Sequence, residues 1–446
     1  MLLHRVPVKK FYTSTLQKHP RGDDVVRILA AAIEAVEPGN AVRRFVQHDG
    51  NVLRIADQPH VLNEFDRVRV LGLGKATQAM AGALLEILAP HPSRGLLIPK
   101  QTFAAPASGY EVYAGGHPVP TQNSVTAGNK AHALASRLTE RDLLICLISG
   151  GGSALMTSPQ PGLQLEDLQV LTKLLLACGA RVDEINTLRR HLDRVKGGGI
   201  AKSANGAQVV SLILSDVVGN PLEAIASGPT SPDPSTKADA LHILNKYDLV
   251  KDVPAAILHY LESTPETPKP NDPLFTHVQN VLVGSNSLAA HAALATAKSL
   301  GFQTHFLGDT WQGEAREVAK ELCSYFTQAS AAPFCLIAGG ETTVTLRGRG
   351  VGGRNQELAL AAAIEMSDMK NAMLLTLATD GEDGPTDAAG AVVTGETFQY
   401  AKRLGLSPEL FLQGNNSYPL FDALGDLLKI GQIGTNVNDL TFLFKF

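Results

Sequence analysis

Apolar residues in this chain gather in short unbroken runs, and almost every run ends on glycine or a small polar residue. Asp142–Ile148, Val209–Leu214, Phe334–Ala338 and Met373–Ala378 have this form, and Val68–Leu71, interrupted by Arg69, and Asn280–Val283 approach it. They predict strands, of which Val209–Leu214 and Phe334–Ala338 read as buried and the nearly continuous Asp142–Ile148 as covered on both faces, as in a parallel sheet. Gly95–Pro99, Gln303–Leu307 and Leu440–Phe444 read as further strands, and Thr342–Leu346 alternates like a separate one after Phe334–Ala338. Residues 51–65 predict irregular chain or a short strand. Helical spacing covers Val25–Val36, Ala76–Leu88, Ser124–Leu138, Leu165–Cys178, Asp183–Arg194, Ala238–Leu244, the alanine-rich stretch up to Leu300, and Gly313–Phe326.

Strands alternating with helices place the chain in the α/β class, with parallel or mixed sheets covered by helices on both faces. At 446 residues it is long for one core, so two domains are expected. The run 263–273, STPETPKPNDP, has four prolines and no apolar periodicity, and predicts the linker. This divides the chain into a basic segment 1–23, a Rossmann-like doubly wound domain 24–272 and a second α/β domain 273–446.

The chemistry sits where the predicted strands end, the place where open α/β sheets hold ligands. The first such strand runs into Gly72-Leu73-Gly74-Lys75. That turn lacks the third glycine of a dinucleotide fingerprint and the spacer of a P-loop, so what remains is a lysine beside two glycines. Ser149-Gly150-Gly151-Gly152-Ser153 offers bare N–H groups for phosphate or carboxylate oxygens, the alternative being a plain turn. Asp216 is a metal ligand, a base, or the cap of the following turn. Gly284 and Asn286, and Gly340 and Glu341, mark two more strand ends. Arg354 opens a helix beneath the glycine-rich loop 347–353, which suits an anion, although a solvated arginine has the same pattern. Lys196, beside three glycines, is placed to reach phosphate, whereas Arg189 and Arg190 read as charges capping a helix C-terminus. His117 sits in a turn, where a structural hydrogen bond outweighs acid or base work.

Four acids lie within residues 380–387 after the Met373–Ala378 strand. The glutamate and helices of an EF-hand are missing, so Asp380 reads as a magnesium or substrate ligand, or as part of a solvated turn.

Net charge of −4 and 18% charged residues give no basic face for nucleic acid, and no apolar run approaches the roughly 18 residues needed to span a bilayer. The four cysteines show no metal-ligand spacing and are expected as buried thiols in a reducing compartment. Residues 1–22 carry Arg5, Lys9, Lys10, Lys18 and Arg21 with no acid before Asp23, the composition of a mitochondrial transit segment; a cytoplasmic protein with a basic tail is the alternative.

The motifs VLGLGKA, GGHPVPT, LISGGGSAL, LSDVVGNP with IASGPT, GGETTVTLRGRGVGGRNQELAL, and ATDGEDGPTDAAGA with GTNVND resemble, in order, those of the class II glycerate kinases, whose C-terminal half is the MOFRL domain. The similarity covers about residues 24–446. It implies ATP- and Mg²⁺-dependent phosphorylation of D-glycerate in a cleft between two α/β domains, giving 2-phosphoglycerate or, alternatively, 3-phosphoglycerate. It also implies catalytic roles for Lys75, Arg354, Asp216 and Asp380, the two acids being also the metal ligands. The nucleotide set expected beside them is Gly72, Gly74, Ser149, Gly150, Gly151, Gly152, Ser153, Lys196, Gly284, Asn286, Gly340 and Glu341. A homo-oligomer stays open. The rival readings are a hydroxypyruvate reductase and a non-catalytic binder of phosphorylated metabolites.

Overall fold

Six strands form the sheet of Ala41–Val283, one of two units into which the chain divides. The computed structural model describes residues 7–328 and 333–446. Across this sheet the strands are Tyr110–Val112, Ser93–Ile98, Arg67–Leu73, Asp142–Ile148, Gln208–Leu214 and Val278–Gly284. The first five pair in parallel. In chain order they lie third, second, first, fourth, fifth, sixth, so the winding reverses between Arg67–Leu73 and Asp142–Ile148. Those two neighbours are in register with Leu73 against Ile148, and a crevice opens beyond their C-terminal ends at such a reversal. Asp142–Ile148 is buried at every residue, the physical basis of its unbroken apolar run.

The same unit contains an antiparallel meander, Val46–Asp49, Val52–Ile55 and Gln58–Val61. Helices Leu165–Ala177, Val182–His191, Lys237–Lys246 and Ala255–Ser263 pack around a core of their own that includes Leu175, Leu188, Leu244 and Ile257.

The other unit joins the chain up to Asn40 to Gly284–Phe446. Its sheet runs Gln303–Phe306, Phe334–Thr343, Asp439–Lys445, Ala372–Ala378 and Val392–Thr394, with Trp311–Glu314 paired in parallel to the far end of Phe334–Thr343. The C-terminal strand Asp439–Lys445 is antiparallel to both neighbours and sets Asp439 opposite Gly340 and Ala378.

Several boundaries differ from expectation. Residues 334–343 form one strand rather than two, because pairing with Asp439–Lys445 and Trp311–Glu314 carries it through Gly339 and Gly340. A Cβ at Gly340 would lie 2.0 Å from the Trp311 carbonyl oxygen, so the pairing needs glycine there. The proline-rich run 263–273 is no free linker: the Pro268 carbonyl accepts from Asp233 N, and the Thr267 hydroxyl donates to the Asp233 carboxylate. Val278–Gly284, expected after the boundary, belongs to the first sheet.

Helix Gly22–Val36 was expected with the first domain, yet it packs along Asn286–Ser299 in the other unit. The preceding residues pack there too. Phe11 and Leu16 are 0% and 1% exposed, Thr15 donates from its backbone and its hydroxyl to Asp426, and Arg21 stacks on Phe302 with 3.8 Å from guanidinium carbon to ring centroid. Arg5 lies outside the described residues. The four cysteines carry no disulfide, and all but the half-buried Cys178 are buried.

Candidate active site

The reversal in the first sheet brings Lys75, the glycine run and Asp216 together. Because Leu73 and Ile148 are paired, the turns that follow them touch: Lys75 N donates to the Gly150 carbonyl at 3.0 Å, and Ala76 N donates to Ser149 Oγ at 3.0 Å. The next strand, Gln208–Leu214, delivers Asp216. A Cβ at Gly150 would lie 2.0 Å from Asp216 Oδ2, so only glycine lets the carboxylate lie against this backbone. The Cβ position of Gly151 lies 3.3 Å from His117 Cδ2 and 3.5 Å from Lys75 Cγ, so the imidazole and the lysine stem both approach the nest. Burial, then Lys75 and Lys100, depress the His117 pKa, so the ring is neutral at neutral pH. Lys75 itself is exposed. Ser153 Oγ meets Ser227 Oγ at 2.8 Å.

In the other unit the corresponding chemistry surrounds the start of helix Arg354–Glu365. Arg354 donates from Nε to Asp439 Oδ2 at 2.5 Å, from Nη2 to Asp439 Oδ1 at 3.3 Å, and from Nη1 to Glu341 Oε1 at 2.6 Å. Burial opposes its charge, but Asp439 and Glu341 outweigh burial and raise the pKa. Asp439 is also buried, and burial raises its pKa against the pull of Arg354. The Asp383 carboxylate caps the helix, accepting from Asn355 N at 3.1 Å and Gln356 N at 2.9 Å. Burial pushes it up to about 6 despite those donors.

The remaining expected residues are placed differently. Lys196 is 3% exposed and donates to the Met156 carbonyl at 2.8 Å, to Thr157 Oγ1 at 3.2 Å and to Asp193. An ammonium has three donors, so none remains for a phosphate. Gly72 lies inside its strand, closely approached by Leu97 and Thr77, and Gly152 packs against Ala226 and Leu73. Asn286 donates to the carbonyls of Val437 and Asp439, a brace for the turn before Asp439, and its buried Oδ1 has no partner. Gly284 ends the strand before that helix. Asp380 is half-buried, and its Oδ1 accepts from Glu382 N at 3.2 Å. Among the described residues no three His, Cys, Asp or Glu side chains converge as a metal site.

Asp439 and Asp383 were not singled out from the sequence. Asp439 had a signal, since it closes GTNVND directly before a strand, but its partner lies 85 residues away.

Comparison with known proteins decides the family. The family model described as a domain of unknown function, DUF4147, matches residues 24–262, and the MOFRL family model matches residues 334–439. A glycerate 2-kinase of Pyrococcus horikoshii is 39% identical over 93% of this chain and 95% of its own. A D-glycerate 2-kinase of Thermotoga maritima is 40% identical, over 93% and 96%. The chain belongs to the class II glycerate kinase family. The crystal structure of a glycerate kinase from Thermotoga maritima superposes with a TM-score of 0.85 at 38% identity, covering 95% of this chain and 99% of that one. A crystal structure of a Pyrococcus horikoshii protein gives 0.86 at 38% identity, over 95% and 98%. In this glycerate kinase family member, the DUF4147 match starts inside helix Gly22–Val36, so the matched domain and the packed unit differ at that helix.

Proposed function

We propose that the protein is an ATP-dependent D-glycerate kinase that makes 2-phosphoglycerate. The observation that carries this is the meeting of Lys75, Asp216 and the Gly150–Gly151 backbone at the reversal of a sheet with Rossmann-like strand order, in a chain of the glycerate kinase family. The glycine N–H groups and Lys75 suit the oxygens of a phosphoryl group in transfer, where positioning and charge stabilisation are most of the catalysis. In this reading Asp216 accepts the proton of the glycerate hydroxyl. That oxygen forms its bond to the γ-phosphorus of ATP as the bond to ADP breaks, and the products are ADP, 2-phosphoglycerate and a proton.

Arg354, aimed by Asp439 and Glu341, is the other cation that the family resemblance assigns to the phosphoryl group. Mg²⁺, which usually takes only one or two carboxylates beside phosphate oxygens and water, would be held by Asp216 or by Asp380 and would supply charge neutralisation on the phosphates.

A coupled assay with D-glycerate, ATP and Mg²⁺ tests this. Product consumed directly by enolase supports the 2-kinase. Product that first needs phosphoglycerate mutase moves the reaction to the 3-hydroxyl, and absence of ADP sinks the kinase reading.

A further inference from the structure

Helix Val182–His191 ends in two arginines with different surroundings. Arg190 is buried and held by Asp233, with further bonds to Thr187 and Ser235. The only hydrogen bond of Arg189 among the described residues is a long one, from Nη1 to Asn186 Oδ1 at 3.5 Å. Burial lowers its pKa, with Asp193 pulling the other way, but the Asp193 carboxylate is taken up by Lys196. A half-buried guanidinium with one long hydrogen bond to a neutral amide keeps donors for a ligand carboxylate.

Its position links it to the glycine nest. Arg189 lines a cavity with Ser153, Thr157, Asp193 and Lys196, the rest of its wall being mostly leucine and isoleucine. Asn186 Oδ1, its one acceptor, also accepts from Ser227 Oγ at 3.3 Å, and Ser227 Oγ meets Ser153 Oγ at 2.8 Å. A polar chain thus leads from Gly152-Ser153 to the guanidinium. The neighbouring cations are already engaged: Lys196 by three acceptors, Arg190 by Asp233, and Arg194 by Ser158 and Asn129.

We propose that Arg189 binds the carboxylate of the hydroxy-acid acceptor and so selects acids over uncharged alcohols. The assignment rests on the kinase reading above. An incoming carboxylate pairs with the planar fork of Arg189, and Ser153, which lines the same cavity, directly follows the glycines of the nest.

The test compares D-glycerate with its uncharged amide, D-glyceramide, in the wild type, R189M and R189K, each checked by thermal melting. R189M is expected to raise KM for D-glycerate about 10²-fold, leaving KM for ATP and kcat/KM for the amide within about threefold. R189K, which keeps the charge and loses the fork, falls between. Equal losses on acid and amide, or a change confined to ATP, overturn the proposal. Should R189M melt early, R189K carries the same comparison: a KM change on the acid ten times that on the amide supports the assignment, and equal changes overturn it. Wild-type turnover of D-glycerate reports on the kinase reading alone. If that turnover is absent, calorimetric titration of D-glycerate into wild type and R189M decides the proposal separately, since equal affinities overturn it and weaker binding to R189M supports it.

Discussion

Arg354 and Asp439 meet side by side, with Nε 2.5 Å from one carboxylate oxygen and Nη2 3.3 Å from the other. Asp439 is the first residue of the central strand, so strand register and the helix start jointly fix the guanidinium. If Arg354 stabilises charge in the transition state, R354A lowers kcat by about 10²-fold or more. D439N leaves the cation but removes its aim, and kcat falls by about tenfold with KM for ATP little changed. Steady-state kinetics on folded variants check both; an intact rate in R354A removes it from the mechanism.

At Gly150 the backbone lies close against the Asp216 carboxylate. An added methyl 2.0 Å from Asp216 Oδ2 must push the acid aside. G150A is therefore expected to lose activity to roughly the extent of D216N, about 10²-fold or more for a misplaced base, with a cooperative melt retained. Wild-type kcat in G150A would show that Asp216 need not lie against the nest.

Lys196 is expected to matter for stability rather than for nucleotide binding. Removing one member of a buried pair leaves the other uncompensated, a cost of about 3–5 kcal/mol, whereas removing both is far milder. Urea unfolding of K196M and K196M/D193N checks this. A KM for ATP that rises in K196M without loss of stability would return Lys196 to the phosphate.

Asp383 links stability to pH with a definite sign. Its folded pKa is raised to about 6 from 3.8, so between those values the folded state holds a proton that the unfolded chain has released. Its contribution is fully present below about pH 4 and declines as pH rises through 6, by on the order of 2–3 kcal/mol. From pH 4 to 7 the wild type should lose more stability than D383N in denaturant titrations. Parallel profiles would show that the carboxylate is not raised.

The segment before helix Gly22–Val36 behaves as part of a core. F11A removes a fully buried ring and is expected to cost about 3–5 kcal/mol, read as a lower melting temperature. L16A should act in the same direction. Unchanged melting in both would mean that residues 7–22 are dispensable to the unit, as a removable leader requires.

Much of the fold was legible because its signals are local. Buried parallel strands write themselves as unbroken apolar runs, and Asp142–Ile148 and Gln208–Leu214 were visible in this way. Strand ends carry ligand chemistry, so Lys75, Gly150, Asp216 and Arg354 stood out before any pairing was known. The continuous strand 334–343 was hidden, since glycines resemble a stop unless the neighbouring strands are in view.

The amino-acid order by itself determined the α/β class, the glycine nest and the family, all of which rest on residues close together in the chain. Tertiary structure alone decided which charges are free to act. Lys196 and Arg189 look alike as cations near the end of a helix, yet one is consumed by Asp193 and the other has no carboxylate of its own. It also decided that Asp439 is the acid that holds Arg354 and that Gly22–Val36 lies with the C-terminal half. The reason is physical: charge pairing and burial depend on strand register and packing between segments far apart in the chain.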